Sequence, residues 1–128
     1  MMIKQLSVFL QNESGRLVKI TELLQNANIN ISALSIAETA EYGVLRLIVD
    51  DVETAAQALR DAKYSVKITD VICLIVPDEP GMLNQALRQL AEEGINVSYM
   101  YGHSSEGNAR LILKTNDPAR ASRILEQD

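Results

Sequence analysis

The spacing of apolar residues changes several times along the first half of the chain, and each change marks a predicted element. Residues 3–10 alternate between apolar and polar, which is typical of a β-strand. Residues 17–27 place their apolar side chains at helical spacing. Asn28 follows them and suits the left-handed conformation that ends many helices. The pattern therefore predicts a strand and then a helix within the first 28 residues.

The rest of the first half continues with three strands and one more helix. We predict a strand at 29–38, a hairpin loop at 39–43, a strand at 44–50, a helix at 51–62 and a strand at 64–69. Gly43 is expected to supply the permissive backbone of the hairpin loop. The resulting order, β-α-β-β-α-β, is that of a ferredoxin-like α+β unit.

The second half repeats this order but stops one strand short. It predicts a strand at 71–77, a helix at 82–93, strands at 95–102 and 109–115 around a loop at 103–108, and a helix at 117–127. Gly94 is expected to end the first of these helices, and Pro118 to begin the second. No residues remain for a final strand, so either the chain is cut short or another chain supplies that strand.

The two halves are also related in sequence. The stretch "NESGRLVKITELLQNANINIS" at 12–32 is matched 66 residues later by "DEPGMLNQALRQLAEEGINVS", and seven positions of 13–32 are identical in 79–98. We expect a second hairpin two residues shorter than the first, which would align Arg46 with Arg110. The repeat predicts two domains, 1–69 and 70–128. No Gly, Pro or Ser linker separates them, so we expect them to form one compact unit.

Composition narrows the classes of function. A net charge of −5 argues against nucleic acid and anionic membrane surfaces as partners. One cysteine and one histidine cannot form a disulfide or a metal cluster, and no apolar run is long enough to span a membrane. A cytoplasmic protein with no metal, cofactor or catalytic residues is expected. Its partners would be a small molecule and, through open sheet edges, a second copy of itself in a homodimer.

The glycine-containing segments between first strand and first helix resemble those of ACT domains. Asp78, Pro80, Gly81 and Leu83 match the family pattern Asp-x-Pro-Gly-x-Leu, and "NESGRL" follows it without the proline. The segments "NINIS" and "GINVS" match the start of the family's second strand. The resemblance covers nearly the whole chain. The chain is similar to small bacterial proteins made of two ACT domains. It implies a non-catalytic protein that binds amino acids and regulates amino-acid metabolism.

The resemblance also implies which residues meet the ligand. They lie at the glycine segments, at the first residues of the following helices and at the start of the second strands: Asn12, Ser14, Gly15, Arg16, Leu17, Asn30, Asp78, Pro80, Gly81, Met82, Leu83 and Asn96. The residue chemistry is suitable, because a helix N-terminus attracts a carboxylate and glycine permits close approach. Some members carry a histidine two residues before the Asn12 position. Here Leu10 and Val76 stand at those places, so recognition by that histidine is absent.

Each of these residues also has a purely structural interpretation. Asn12 and Asp78 could cap their helices, and Gly15 and Gly81 could serve only as turn residues. The two strand-start asparagines, at 30 and 96, could bond to nearby backbone. A duplication copies scaffold as faithfully as it copies a site, so the repeat does not separate these readings.

Three other functions compete with amino-acid sensing. The chain could be a regulatory subunit that controls a separate metabolic enzyme by protein contact. The βαββαβ order also serves RNA-binding domains, but those need aromatic residues on the central strands and a basic surface. An enzyme would need a nucleophile with its base, a metal cluster or a phosphate loop, and the sequence contains none of these.

Overall fold

The computed structural model describes residues 1–11, 13–38 and 41–126. They form six strands and four helices: β1 Met2–Gln11, α1 Arg16–Asn26, β2 Ile31–Glu38, β3 Tyr42–Val49, α2 Val52–Asp61, β4 Ser65–Pro77, α3 Met82–Glu92, β5 Val97–Ser105, β6 Asn108–Thr115 and α4 Pro118–Leu125. The chain divides into a first unit, Lys4–Thr69, and a second unit, Met1–Ile3 with Asp70–Asp128. The predicted α+β architecture of tandem ferredoxin-like units is confirmed.

In the first unit, the strands lie in the order β2-β3-β1-β4. Antiparallel pairing places Leu34, Leu47 and Leu6 in one row across the sheet. The alternating residues of β1 meet one face of each helix, because every second side chain of a strand points to the same side. The resulting apolar core is made of Leu6, Val8, Ile20, Leu24, Ile29, Leu45, Leu47, Ala55, Ala56 and Leu59, and β1 also buries the polar residues Gln5 and Ser7.

The second unit repeats this arrangement with β4, β6 and β5 in that order. Its core contains Ile72, Leu90, Ile95, Leu113 and Ala121. Among the described residues no strand follows α4. Instead, the backbones of Met1 and Cys73 exchange two hydrogen bonds of 3.2 and 2.8 Å, as a directly opposed antiparallel pair does. The start of β1 therefore lies beside β4, where the missing strand would otherwise lie.

Most helix ends follow the sequence signals. Asn28 and Gly94 have φ of 60° and 74° and lie just after α1 and α3, as predicted. The side chains of Asp51 and Asp117 accept from the backbone N–H groups of the residues three positions on, which caps α2 and α4. Pro118 occupies the first turn of α4, as predicted. Lys63 was not predicted as a terminator, yet it follows α2 with φ of 74°.

The hairpins differ from expectation. Gly43 is not a loop residue. It is buried in β3, paired with Leu10 and Glu38, and its φ is not left-handed. The predicted loop of the second hairpin is instead mostly strand, and its turn consists of Glu106 and Gly107, with φ of 54° and 82°. Two successive positive φ values define the tight turn whose twist matches the flanking strands.

The expected alignment of Arg46 with Arg110 is wrong. Ala37 pairs with Val44 in the first hairpin, and His103 pairs with Arg110 in the second. Both strands therefore keep the 66-residue offset, and Arg110 corresponds to Val44. The expectation fails because the two hairpins are equally long: Glu38 pairs with Gly43, and Ser104 pairs with Ala109.

Candidate ligand-binding site

The two glycine segments fold into matching turns. Glu13 N–H donates to the Gln11 carbonyl at 2.8 Å, and Glu79 N–H donates to the Pro77 carbonyl at 2.9 Å. Each turn ends in a glycine at the N-cap position of its helix. Gly15 has φ of 85° and Gly81 has φ of 88°. Only glycine adopts this backbone without strain, so both glycines have a structural role whatever else they do.

The space beside these glycines is open. A Cβ atom placed on Gly15 or Gly81 would meet nothing within 4 Å. An N-cap glycine has no side chain, so α1 and α3 lack the side-chain cap that Asp51 provides for α2. The N–H groups of Arg16 and Met82 donate to the carbonyls of Glu13 and Glu79, at 3.5 and 3.3 Å. The next N–H groups of α1 and α3 have no intrahelical acceptor, as at any helix start, and lie close to this open space. This arrangement suits the approach of an anionic group.

Asp78 does not cap α3. Its side chain is exposed and accepts no hydrogen bond from the other described residues, while its backbone N–H donates to the Gly107 carbonyl at 2.9 Å. The capping interpretation of Asp78 is thus not supported by the structure. Its equivalent, Asn12, lies outside the described residues, so the capping interpretation of Asn12 stays a prediction.

The helix-start residues differ between the two units. The Arg16 guanidinium donates to Gln11 Oε1 at 3.1 Å and to Glu13 Oε2 at 3.2 Å, which folds this side chain back over the turn. Met82 at the equivalent position makes no such bond among the described residues. Ser14 and Pro80 are exposed in the turns themselves. Leu17 is 39% exposed, whereas its equivalent, Leu83, is partly buried.

Asn30 and Asn96 are held by one shared motif. Asn30 N–H donates to Asp50 Oδ1 at 3.1 Å, and Asp50 N–H returns a bond of 3.2 Å to the Asn30 carbonyl. In the second unit Asn116 takes the place of Asp50, with bonds of 2.9 and 3.2 Å to Asn96. These bonds use the asparagine backbones, so they fix the start of β2 and β5 and leave the exposed side-chain amides pointing outward from a rigid position.

The predicted site residues form two groups that one unit does not bring together. The glycine turn precedes α1, and Asn30 follows it. Eleven helical residues span about 16 Å at 1.5 Å per residue, so the two groups lie at opposite ends of α1. The same holds for Gly81 and Asn96 around α3. A ligand of amino-acid size cannot touch both groups of a single unit.

A cleft of about 270 Å³ lies beside the second glycine turn. Asp78 and Leu83 line one side of it, and His103 and Ser104 of β5 line the other. Gly102 also lines the cleft, and a Cβ there would overlap the Arg110 carbonyl oxygen. Its equivalent in the first unit is Ile36, so the two glycine turns have different neighbours. The cleft combines the carboxylates of Asp78 and Glu79 with polar side chains of β5 and apolar walls.

Sequence reasoning missed several residues that shape these surfaces. Asp50 and Asn116 each lie 20 residues after the asparagine they hold, and comparison of the two repeats could have found this spacing. His103 was expected in a loop but lies within β5. Lys63, in the turn after α2, lines a groove together with Arg16 of α1. No local sequence pattern indicates that these two residues come together.

The described part of the chain lacks two features that other functions would need. Residues 1–11, 13–38 and 41–126 contain no group of three or more His, Cys, Asp or Glu side chains placed to hold a metal ion. No helix in the same ranges is long and apolar enough to cross a membrane.

The comparisons with known proteins agree with the geometry. The model of the ACT domain pair family matches residues 1–128. The crystal structure of protein BT0572 from Bacteroides thetaiotaomicron is 42% identical, with a TM-score of 0.94, and the match covers 99% of this chain and 88% of that one. A search of curated proteins found no match.

More distant structures share the fold. The ligand-free regulatory subunit of aspartate kinase from Thermus thermophilus is 14% identical, with a TM-score of 0.70, over 99% of this chain and 96% of that one. The corresponding subunit from Thermus flavus is 15% identical, with a TM-score of 0.68, over 99% and 94%. The full-length family match, together with the two glycine turns and the repeated βαββα order, shows that this chain belongs to the ACT domain pair family.

Proposed function

We propose that this chain is a non-catalytic regulatory protein that binds a free amino acid at its glycine turns. The observation that carries the proposal is the pair of helix N-termini, at Gly15 and Gly81, that have no side-chain cap and open onto accessible space. We assign the two repeats to domains 1–69 and 70–128, with Met1–Ile3 packed in the second unit, and we place the protein in the cytoplasm, where amino-acid metabolism is regulated.

The two ends of an amino acid suit the second turn. Its carboxylate would accept from the first N–H groups of α3, where the helix dipole also favours negative charge. Its ammonium would contact the exposed Asp78 carboxylate, which can only accept hydrogen bonds. The first turn has Asn12 at this position, and an amide can both donate and accept, so we expect the two turns to bind with unequal affinity.

A second copy of the chain would complete each site. Asn30 and Asn96 lie beyond the C-terminal ends of α1 and α3. Each is too far from the glycine turn of its own unit to contact a ligand bound there. A glycine turn of one copy facing Asn30 or Asn96 of another would bring the two groups together. This arrangement of the site requires a homodimer, and sedimentation equilibrium at micromolar concentration should show one. Amino-acid binding by a monomer would show that Asn30 and Asn96 are not part of the site.

Control of a separate enzyme by protein contact is the second candidate. The observation in its favour is that Phe9 and Ile75, which occupy equivalent positions of the two units, are 48% and 51% exposed. Large apolar side chains at matched exposed positions are typical of surfaces that meet another protein. The fold likeness to regulatory subunits of aspartate kinase is compatible with this candidate. Both candidates can hold together if amino-acid binding controls the contact.

A thermal-shift screen of all twenty amino acids tests the first candidate. A ligand present at 100 times its Kd stabilises the folded state by about 2.7 kcal/mol. For a chain of this size that shift corresponds to several degrees in Tm. One amino acid or a small related set should raise Tm. If none does at millimolar concentration, amino-acid sensing is excluded and the protein-contact candidate becomes the leading one.

A further inference from the structure

The first unit contains a groove on the side of α1 that faces the turn between α2 and β4. It has a volume of about 440 Å³. Three cationic side chains line it: Arg16 and Lys19 from α1, and Lys63 from the turn. Its described lining includes no aspartate or glutamate. Leu10 and Leu23 supply apolar wall beneath the charges.

The second unit has an uncharged groove at the equivalent positions of its first strand and first helix, but no counterpart of the α2–β4 turn lines it. This groove lies between the end of β4, one side of α3 and the end of α4, and its volume is about 180 Å³. Met82, Gln85 and Gln89 stand at the positions of Arg16, Lys19 and Leu23. Its described lining carries no charged side chain. The duplicated scaffold therefore provides a groove in both units, but only the first unit makes that groove cationic.

The positive charge of the first groove is only partly neutralised by neighbouring carboxylates. Glu13 pairs with Arg16 at 3.2 Å and offsets one charge. Lys19 and Lys63 have no ion-pair partner among residues 1–11, 13–38 and 41–126. The whole chain carries a net charge of −5, so two unpaired lysines in one concave surface depart from the general charge of the molecule. Opposite charge in a groove raises the local concentration of anionic ligands.

Lys63 holds its place at a cost in backbone conformation. It has φ of 74° at the position after α2, where the equivalent residues after α1 and α3 are Asn28 and Gly94. Asparagine and glycine accept this conformation readily, whereas lysine does not. A cation near the last carbonyl groups of a helix is favourable, which is the structural explanation for Lys63. Its place on the groove wall opposite Lys19 is a second reason for a lysine there.

We propose that this groove binds a small dianion, either a dicarboxylate or a phosphate monoester. Lys19 and Lys63 would contact the two negative groups or the phosphate oxygens, and Leu10 and Leu23 would contact the carbon skeleton. Ammonium groups are effective point charges for both carboxylate and phosphate. The site uses the side of α1 and the α2–β4 turn and adjoins the proposed amino-acid contact at the helix N-terminus, because Arg16 lies at both. Lys19 and Lys63 belong to the groove alone, so the proposal is tested at these two residues.

Titration calorimetry at low ionic strength tests the proposal with succinate, L-aspartate and inorganic phosphate, and with L-serine as the neutral comparison. At least one dianion should bind, serine should not bind in this groove, and added salt should weaken the dianion. Phosphate binding without succinate binding would identify a phosphate ligand, and the reverse would identify a dicarboxylate. A stronger response to aspartate than to succinate that Lys19→Gln also weakens would show that the ligand's ammonium group contributes in this groove.

Three variants locate the binding. Lys19→Gln and Lys63→Gly should each weaken it by about tenfold or more, because each removes a charge-assisted contact. Lys67→Gln removes the same charge from an exposed position of β4 outside the groove and should change the affinity little. Lys63→Gly should also raise Tm, because glycine relieves the left-handed backbone, so weaker binding by this variant cannot be ascribed to unfolding. The proposal is overturned if no dianion binds, or if Lys67→Gln weakens binding as much as Lys19→Gln.

Discussion

Gly15 and Gly81 have a structural role that the backbone shows, and a proposed role in ligand binding. Their left-handed φ values end the turns and start α1 and α3, and the space in front of them is open. A large side chain is unsuitable as a binding test at these positions, because valine would strain the backbone before it met a ligand. Asparagine adopts left-handed φ more readily than other residues, so Gly→Asn variants separate occlusion of the site from loss of the fold.

The first prediction concerns these backbones. Gly15→Ala should destabilise the protein by about 1 kcal/mol or somewhat more, because alanine pays for the left-handed conformation. Gly43→Ala is the matched control: its φ is not left-handed, and its added Cβ would make an ordinary 3.6 Å contact with Leu10. Urea unfolding of both variants measures the difference. Equal effects at the two positions would show that φ is not what makes Gly15 necessary.

Thr115 provides a second prediction at this scale. Its hydroxyl is fully buried in β6 and has no hydrogen-bond partner in the described part of the chain. The equivalent residue of the first unit is Val49, which has the same shape without the hydroxyl. Thr115→Val should raise the free energy of unfolding by about 1 kcal/mol, since it removes an unsatisfied buried group. Val49→Thr should lower it, and a destabilised Thr115→Val would reveal a partner for the hydroxyl.

Among the elements, α2 and α4 are capped by aspartate side chains, whereas α1 and α3 begin at glycines. Thr54 donates to the Asp51 carboxylate from its hydroxyl at 2.7 Å and from its backbone N–H at 3.2 Å. These bonds hold the pKa of the Asp51 carboxyl below its ordinary value of 3.8. The ionised form is therefore the one that stabilises α2.

The third prediction follows from the sign of that change. A lowered folded pKa means that the stabilisation is fully present above 3.8 and is lost as pH falls through the folded value. The difference in unfolding free energy between wild type and Asp51→Ala should be constant near neutral pH and shrink in acid. Asp51→Asn keeps an acceptor that does not titrate, so it should converge with wild type in acid. A difference that grows on acidification would contradict the assignment.

The elements also show where sequence reasoning works and where it fails. Periodicity predicted each helix to within a few residues because the apolar stripes of α1, α2, α3 and α4 face cores. It failed at the hairpins, where strand residues such as His103 and Gly43 carry little hydrophobic signal and register depends on cross-strand pairing. The candidate binding surfaces differ in the same respect. The glycine turns have a local signature, whereas the groove at Lys19 and Lys63 depends on residues that only folding brings together.

At the scale of the whole molecule, β1 and β4 each run without a break from one compact unit into the other. β4 crosses the boundary between Thr69 and Asp70, and β1 crosses it between Ile3 and Lys4. Neither boundary contains a flexible linker. A strand that unfolds in one unit therefore loses its continuation in the other, and we expect the units to unfold together.

The fourth prediction tests this coupling with matched core variants. Leu24 and Leu90 occupy equivalent positions of α1 and α3, and each is 1% exposed. Leu24→Ala and Leu90→Ala should each cost about 2–5 kcal/mol. Followed by tyrosine fluorescence and far-UV circular dichroism, each variant should still show one unfolding transition at a lower midpoint. Two transitions, with only one displaced in each variant, would mean that the units are independent.

Titration calorimetry with the best amino acid from the thermal-shift screen tests the central claim most directly. Wild type, Gly15→Asn and Gly81→Asn are compared at equal protein concentration, after circular dichroism confirms that all three are folded. We predict that wild type binds and that each variant loses the binding at its own turn. The two losses should differ in size, because the second repeat has Asp78 at the position where the first has Asn12. Binding by both variants as tight as that of wild type would contradict the account and leave the repeated glycine turns as scaffold alone.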